Sequence, residues 1–185
     1  MRRRWIWVRV LAVGLPACAS IPRYRSEFLG NDVELQPGRY FRRQFIEPGT
    51  NFSRYDTVQV TPVELGYLKE RARYKQRELN RLASKLHEAL VSELITTHRI
   101  LDERASPDAH TLIVSPALVS ATWGSATFEA KLMDGATRLV LAGVAEKRRG
   151  RGVNLKSLVW DLSPRFSGSE VVFKRWAEEL SRLIN

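Results

Sequence analysis

Two periodicities organise the chain. Between Leu79 and Leu94, apolar residues return every three or four positions (Leu79, Leu82, Ala83, Leu86, Leu90, Leu94) and predict a helix over 78–97 with one apolar stripe. Elsewhere the period falls to two. Val58 and Val60 alternate with Thr57, Gln59 and Thr61, which predicts a half-buried first strand within Tyr55–Val63, ended by Pro62. Ala126, Phe128, Ala130 and Leu132 alternate with Thr127, Glu129 and Lys131, the cleanest strand pattern in the chain. Asp134-Gly135-Ala136-Thr137 then supplies a turn, and Leu139 to Ala145 an antiparallel return in which Gly143 marks a bulge or a close backbone approach.

Shorter signals fill the remainder. Arg99-Ile100-Leu101 reads as a second strand and Thr111 to Val119 as a third, where Pro116 argues for an edge or a bulge. Val172, Phe173, Trp176, Leu180, Leu183 and Ile184 give a closing helix a broad apolar face, with Ser169 a candidate cap at its start. This order of elements predicts an α+β fold: a single domain with a mostly antiparallel sheet and two main helices packed on one face.

Residues 19–52 carry no such period, and Pro22, Pro37, Gly38, Pro48 and Gly49 break any long element. They read as a tether and an extended lead-in lying across the domain, with Phe28-Leu29 and Tyr40-Phe41 as its contact points. Arg39, Arg42 and Arg43 make the second of these a basic–aromatic cluster, of a kind that more often docks its rings on a core than binds phosphate.

The start of the chain changes the picture most. Arg2-Arg3-Arg4 precede an apolar run, Val10 to Leu15, that closes on Leu15-Pro16-Ala17-Cys18. A positive front, an apolar middle and small residues at the cut make a secretory signal. Leu three before Cys and a small residue directly before it look like a bacterial lipoprotein processing site, with Cys18 as the acylated first residue of the mature protein. One acyl chain binds a bilayer only marginally, whereas two or three hold durably. The division is then 1–17 signal, 18–52 anchored tether and lead-in, and 53–185 globular domain. Pro16 and Arg9 are unusual in such a signal, and three rivals stay open: an A-x-A cut across Ala17-Cys18-Ala19 that releases a soluble exported protein, an Arg-rich transit peptide, and twin-arginine export. A spanning helix needs about 20 apolar residues, and Arg9 breaks the run.

Composition adds bounds. With 44% hydrophobic and 27% charged residues, the chain is globular rather than disordered. Arg2, Arg3, Arg4 and Arg9 leave with the signal, so the net charge falls from +10 to +6. That surplus favours anionic partners. Arg148, Arg149 and Arg151 are candidate anion-binding residues, weighed against a plain solvated loop. Nucleic acid is not expected as a partner, since no zinc finger, RNP strand or basic zipper accompanies the charge. With one cysteine, the chain forms no internal disulfide and carries no CxxC site.

The three histidines, His87, His98 and His110, do not fall into a metal motif, and no G-x-S-x-G elbow, Walker loop or G-x-G-x-x-G occurs. Glu93, near the middle of the helical stripe, needs a partner or an exit from the core. No catalytic residue, metal or cofactor is assigned.

With these segments placed, the chain resembles a family of uncharacterised bacterial lipoproteins that carries a domain-of-unknown-function label. The resemblance runs through Leu15-Pro16-Ala17-Cys18, Phe28-Leu29, Leu35-Gln36-Pro37-Gly38, Pro48 to Asp56 leading into Val58 to Val63, Leu82-Ala83 and Leu86 to Leu90, Ala126 to Asp134 and Leu139 to Ala142, and Phe173 to Leu180. It implies an α/β domain on a lipid tether, facing the periplasm, with no assigned activity. By analogy with other lipoproteins, Ala19 after Cys18 implies sorting to the outer membrane. The expected function is a non-enzymatic binding or assembly module. Its partners are membrane lipid through acylated Cys18, and another envelope protein or an anionic envelope polymer. The alternatives are a soluble periplasmic protein and an envelope hydrolase with a non-standard site, for which a cleft joining His87 or Glu93 to a second ionisable group is the mark.

Overall fold

The computed structural model describes residues 24–30, 33–122, 125–149 and 168–185. Its elements are β1 (Arg43–Ile46), β2 (Thr57–Val60), α1 (Gln76–Leu94), β3 (Arg99–Ile100), β4 (Thr111–Thr122), β5 (Ser125–Asp134), β6 (Val140–Arg149) and α2 (Gly168–Ile184).

The strands form a single six-stranded sheet in the order β1-β6-β5-β4-β2-β3. β4, β5, β6 and β1 pair antiparallel, whereas β2 runs parallel to both β3 and β4. The expected mostly antiparallel sheet is therefore corrected to a mixed one. The reason lies in connectivity. α1 follows β2 and returns the chain to the end where β2 began, so β3 and then β4 must enter alongside β2 in its own direction.

β1 was missed, because Arg43-Gln44-Phe45-Ile46 shows no clean alternation; it is the lead-in that forms this edge strand. Helix α1 stops at Leu94 rather than 97 because the carbonyls of Leu94 and Glu93 are taken by tight turns through Thr96, Thr97 and His98. Its start is fixed by the Glu78 side chain, which accepts from the Lys75 backbone N–H at 2.8 Å. Ser169 lies within α2, one residue after its first, not ahead of it.

Both helices pack on one face of the sheet. Leu79, Leu82, Leu86, Leu90 and Leu94 of α1 meet Val58, Val60, Leu112, Val114 and Leu118, and α2 brings Phe173, Trp176, Leu180 and Ile184 against Phe128, Ala130 and Val144. Trp176 is fully buried, stacked on Phe128 at 5.2 Å and Phe173 at 5.7 Å between ring centroids. Phe41 of the lead-in joins the same core, 6.3 Å from Phe128.

The other face is buried too. Phe28, Leu29 and Leu35, with Tyr24 and Val33 beside them, cover Ala117, Val119 and Ala145. The lead-in thus crosses the sheet as a strap, and Gly143 forms part of the floor beneath it. A Cβ on Gly143 would meet the Leu29 and Val33 side chains at 3.5–3.7 Å. The expected bulge lies nearby, where the β5–β6 register shifts between Leu132 and Met133.

Pro116 sits on interior strand β4, not on an edge, and the register of β4 with β5 slips two residues later, between Leu118 and Ser120. Its carbonyl accepts from Glu64 N, so its backbone polar groups point towards the segment following β2. β2 has already ended at Val60, so the N–H that proline lacks faces a gap in the ladder.

Gly135 closes the β5–β6 turn by donating to the Thr111 carbonyl at 2.8 Å, and a Cβ there would strike the Asp108 and Thr111 backbone oxygens. Gly66 has open space around its Cβ position. Gly135→Ala should therefore cost about 1–3 kcal/mol through overpacking, while Gly66→Ala stays within about 1 kcal/mol of wild type. Urea midpoints at constant m-value check the pair, and equal midpoints would contradict the Gly135 packing.

Candidate functional site

Among the described residues four acidic side chains are buried, Glu129, Asp134, Glu146 and Glu179, and each joins separate parts of the chain. The most central is Glu129, 1% exposed in the middle of β5. Alternation puts it opposite Phe128, on the face beneath the strap. Tyr24 donates its hydroxyl to Oε1 at 2.6 Å, and Ser26 donates to Oε2. Ser26 Oγ in turn accepts from Leu29 N at 2.9 Å, so the carboxylate and the strap's own turn are linked through one hydroxyl. Lys131 places its ammonium 4.7 Å from the Phe28 ring centroid, and Tyr67 meets that ring edge-on at 5.5 Å. Burial pushes the Glu129 carboxyl above its usual range, against the opposing hydrogen bonds of Ser26 and Tyr24 and the charges of Lys69 and Lys131. Burial and the adjoining carboxylate push the Tyr24 hydroxyl up as well.

Asp134 serves the opposite end of β5. Oδ1 accepts from the Ala136 and Thr137 backbone N–H groups and from the Thr137 hydroxyl, which closes the turn into β6. Oδ2 accepts from Tyr55 at 2.8 Å and from Arg54, whose guanidinium lies over the Tyr55 ring. The Thr137 N–H leads the contacts that hold Asp134 down to about 2, well below its usual 3.8.

A third cluster fastens α2 to β6. Arg148 grips Glu179 with two bonds of 2.7 and 2.8 Å, and Arg175 reaches Glu179 from one turn away at 3.3 Å. Glu146 accepts from Arg42 N at 2.7 Å, which ties in the start of β1.

The candidate residues read from sequence fall as follows. Arg148 lies half-buried on β6 and its guanidinium holds Glu179. The side chain of Arg149, the whole of Arg151 and Cys18 lie outside the described residues. His87 brings Nε2 to 3.3 Å from the Val60 carbonyl, between α1 and β2. Glu93 is half-buried, and six residues from His87 it leaves α1 on a different side. Among the described residues, no group of three or more His, Cys, Asp or Glu could hold a metal ion. None of their helices is long and apolar enough to cross a membrane.

Sequence reasoning missed the Tyr24–Ser26–Glu129 cluster because Glu129 alternates like a solvent-facing residue. One signal was available. A lead-in expected to lie across the domain needs a face to lie on, and helices packed together on one side leave only the face that bears Glu129.

The fold and these clusters define a class: a strapped mixed-sheet α+β domain whose buried charges serve as ties. The chain belongs to the family described as "Protein of unknown function (DUF3313)", whose model matches residues 25–123. This agrees with the family of uncharacterised lipoproteins expected from the sequence. Comparison with curated proteins finds no match.

Among solved structures, the chain is similar to a PelC variant dodecamer from Paraburkholderia phytofirmans, at 17% identity and TM-score 0.46, over 76% of this chain and 96% of that one. It is also similar to lipoprotein GNA1162 from Neisseria meningitidis, at 8% identity and TM-score 0.38, over 57% and 91%. A third likeness is to protein XCC0632 from Xanthomonas campestris, at 9% identity and TM-score 0.42, over 73% and 86%.

Two predictions follow from the buried carboxylates. Asp134→Ala strands several donors and should cost about 2 kcal/mol or more, seen as a fall of about 4–8 °C in Tm. The native carboxyl titrates below its unfolded value, so wild type's advantage over Asp134→Asn is full above pH 3.8 and is lost as pH falls towards about 2. Glu129 has the opposite sign. Its native pKa is raised, so the stability of wild type relative to Glu129→Gln is greatest below pH 4.5 and declines as pH rises through the folded value. Chemical denaturation of both pairs across pH tests the two slopes, and parallel curves would refute them.

Proposed function

We propose that this protein is a lipid-anchored, non-enzymatic binding or assembly module of the bacterial envelope. It is held by acylated Cys18 at the periplasmic side of the outer membrane, where it engages another envelope protein or an anionic envelope polymer. The observation that carries the reading is Leu15-Pro16-Ala17-Cys18 behind a basic front and an apolar run, on a chain of the matched family. The ionisable side chains support the non-enzymatic part. Glu129, Asp134, Glu146 and Glu179 are each bonded to another element of the fold, and His87 faces a backbone carbonyl. A general acid or base has to reach a substrate proton, and groups engaged in this way are turned inward. The mature net charge of +6 favours an acidic partner.

Intact mass and detergent partitioning of the full-length protein expressed in a bacterial host, beside Cys18→Ser, test the anchor. The expected product is residues 18–185 plus acyl chains in the detergent phase, with the variant uncleaved or in the aqueous phase. A mature chain beginning at Ser20 in both would refute it. In-cell crosslinking of the acylated form then reads out the partner.

A further inference from the structure

The strap does more than cover apolar surface, because it also fixes which way the domain faces. Tyr24 is bonded to Glu129 in the middle of β5, the third of six strands counted from the β1 edge. Six peptide units separate Tyr24 from Cys18, a reach of about 20 Å at full extension. To place the helical side against a bilayer, the chain would have to run about 10–14 Å to a sheet edge. It would then have to pass a sheet and a helix layer, about 20 Å more. The tether is too short for that route. With Cys18 acylated, the helical face is excluded from the lipid, and the strapped face is the one the anchor reaches directly.

That face carries suitable chemistry. Arg25 projects from the strap itself and is exposed; Lys69 is exposed too, and its backbone N–H donates to the carbonyl of Val119, which the strap covers. Lys131 reaches over Phe28, and Lys147 stands opposite Thr127 on the same face. Tyr67 is exposed next to Phe28. Against these four cations stand Glu27 and Glu34 of the strap, Glu64 paired with Ala117 of β4, and the buried Glu129. A cation close to an anionic bilayer surface adds about fivefold to its attraction, and the field decays within about 10 Å. The tether holds the patch near that range.

Resting on the anchored reading above, we infer that the strap face, through Arg25, Lys69, Lys131 and Lys147, docks on the phosphate headgroups of anionic phospholipid in the leaflet that holds Cys18. The helical face is thereby turned away from the membrane and left open to partners.

The test uses full-length acylated protein in vesicles of phosphatidylcholine with or without phosphatidylglycerol. Because Cys18 is the chain's sole cysteine, single labels can be placed by Glu27→Cys on the strap and Glu88→Cys on the solvent side of α1. A headgroup-attached quencher should quench the label at 27 at least threefold more than the label at 88 in phosphatidylglycerol vesicles. Arg25→Glu with Lys69→Glu should erase that difference while leaving detergent partitioning unchanged. Equal quenching at both positions in partitioned protein would overturn the docking with the anchor intact, as would stronger quenching at 88, which would assign contact to the Arg77 and Arg81 side of α1. Quenching at 27 that ignores phosphatidylglycerol would overturn phosphate recognition. A protein that fails to partition at all would remove the anchor, and the docking with it.

Discussion

A six-stranded sheet with helices on one side leaves its second face to water unless something covers it, and here that face carries Ala117, Val119 and Ala145 beside polar residues. The rest of this structure depends on how that face is closed. Residues 24–30 and 33–35 close it, and the cost of seating a carboxylate there is offset by two hydroxyl donors drawn from the covering segment itself. Without Tyr24 and Ser26, Glu129 would be a buried charge without its donors. Without Glu129, the strap would lose the carboxylate that Tyr24 and Ser26 hold and rest mainly on Phe28, Leu29 and Leu35. The segment that looks least structured in the sequence is therefore what buries Glu129 and the apolar residues of the sheet's second face.

Much of the architecture was legible because its period was strong. The 79–94 leucine stripe and the 126–145 hairpin are dictated by burial on one face, and they fall where alternation puts them. Parallel pairing was not legible. Whether β4 enters beside β2 in the same or the opposite sense is decided by how α1 carries the chain back, which no local pattern records. β1 escaped for a related reason, since an edge strand of four residues, clamped by β6 on one side and a Gln36–Gln44 bridge on the other, needs little hydrophobic signature.

The ties were hidden by the assumption that polar alternation means water. Gln59 follows the pattern of a solvent-facing residue, yet it is buried and donates its amide to the carbonyls of Asp102 and Ala105 at 2.9 Å. Glu129 follows the same pattern and is buried by the strap. Asp134 read as a turn residue, which it is, but its second oxygen also gathers Arg54 and Tyr55 from nearly eighty residues earlier. Sequence spacing reports which residues share a face; the covering of that face is a tertiary fact.

The pairing of β1 with β6 has a consequence in time. Arg42 and Glu146 are bonded across 104 positions, and β1 and β6, neighbours in the sheet, are separated along the chain by the other four strands. Contacts of such long range make a high contact order, and the sheet cannot close until nearly all of the chain is available. A chain built this way is expected to fold slowly, because its first strand has to wait for its last.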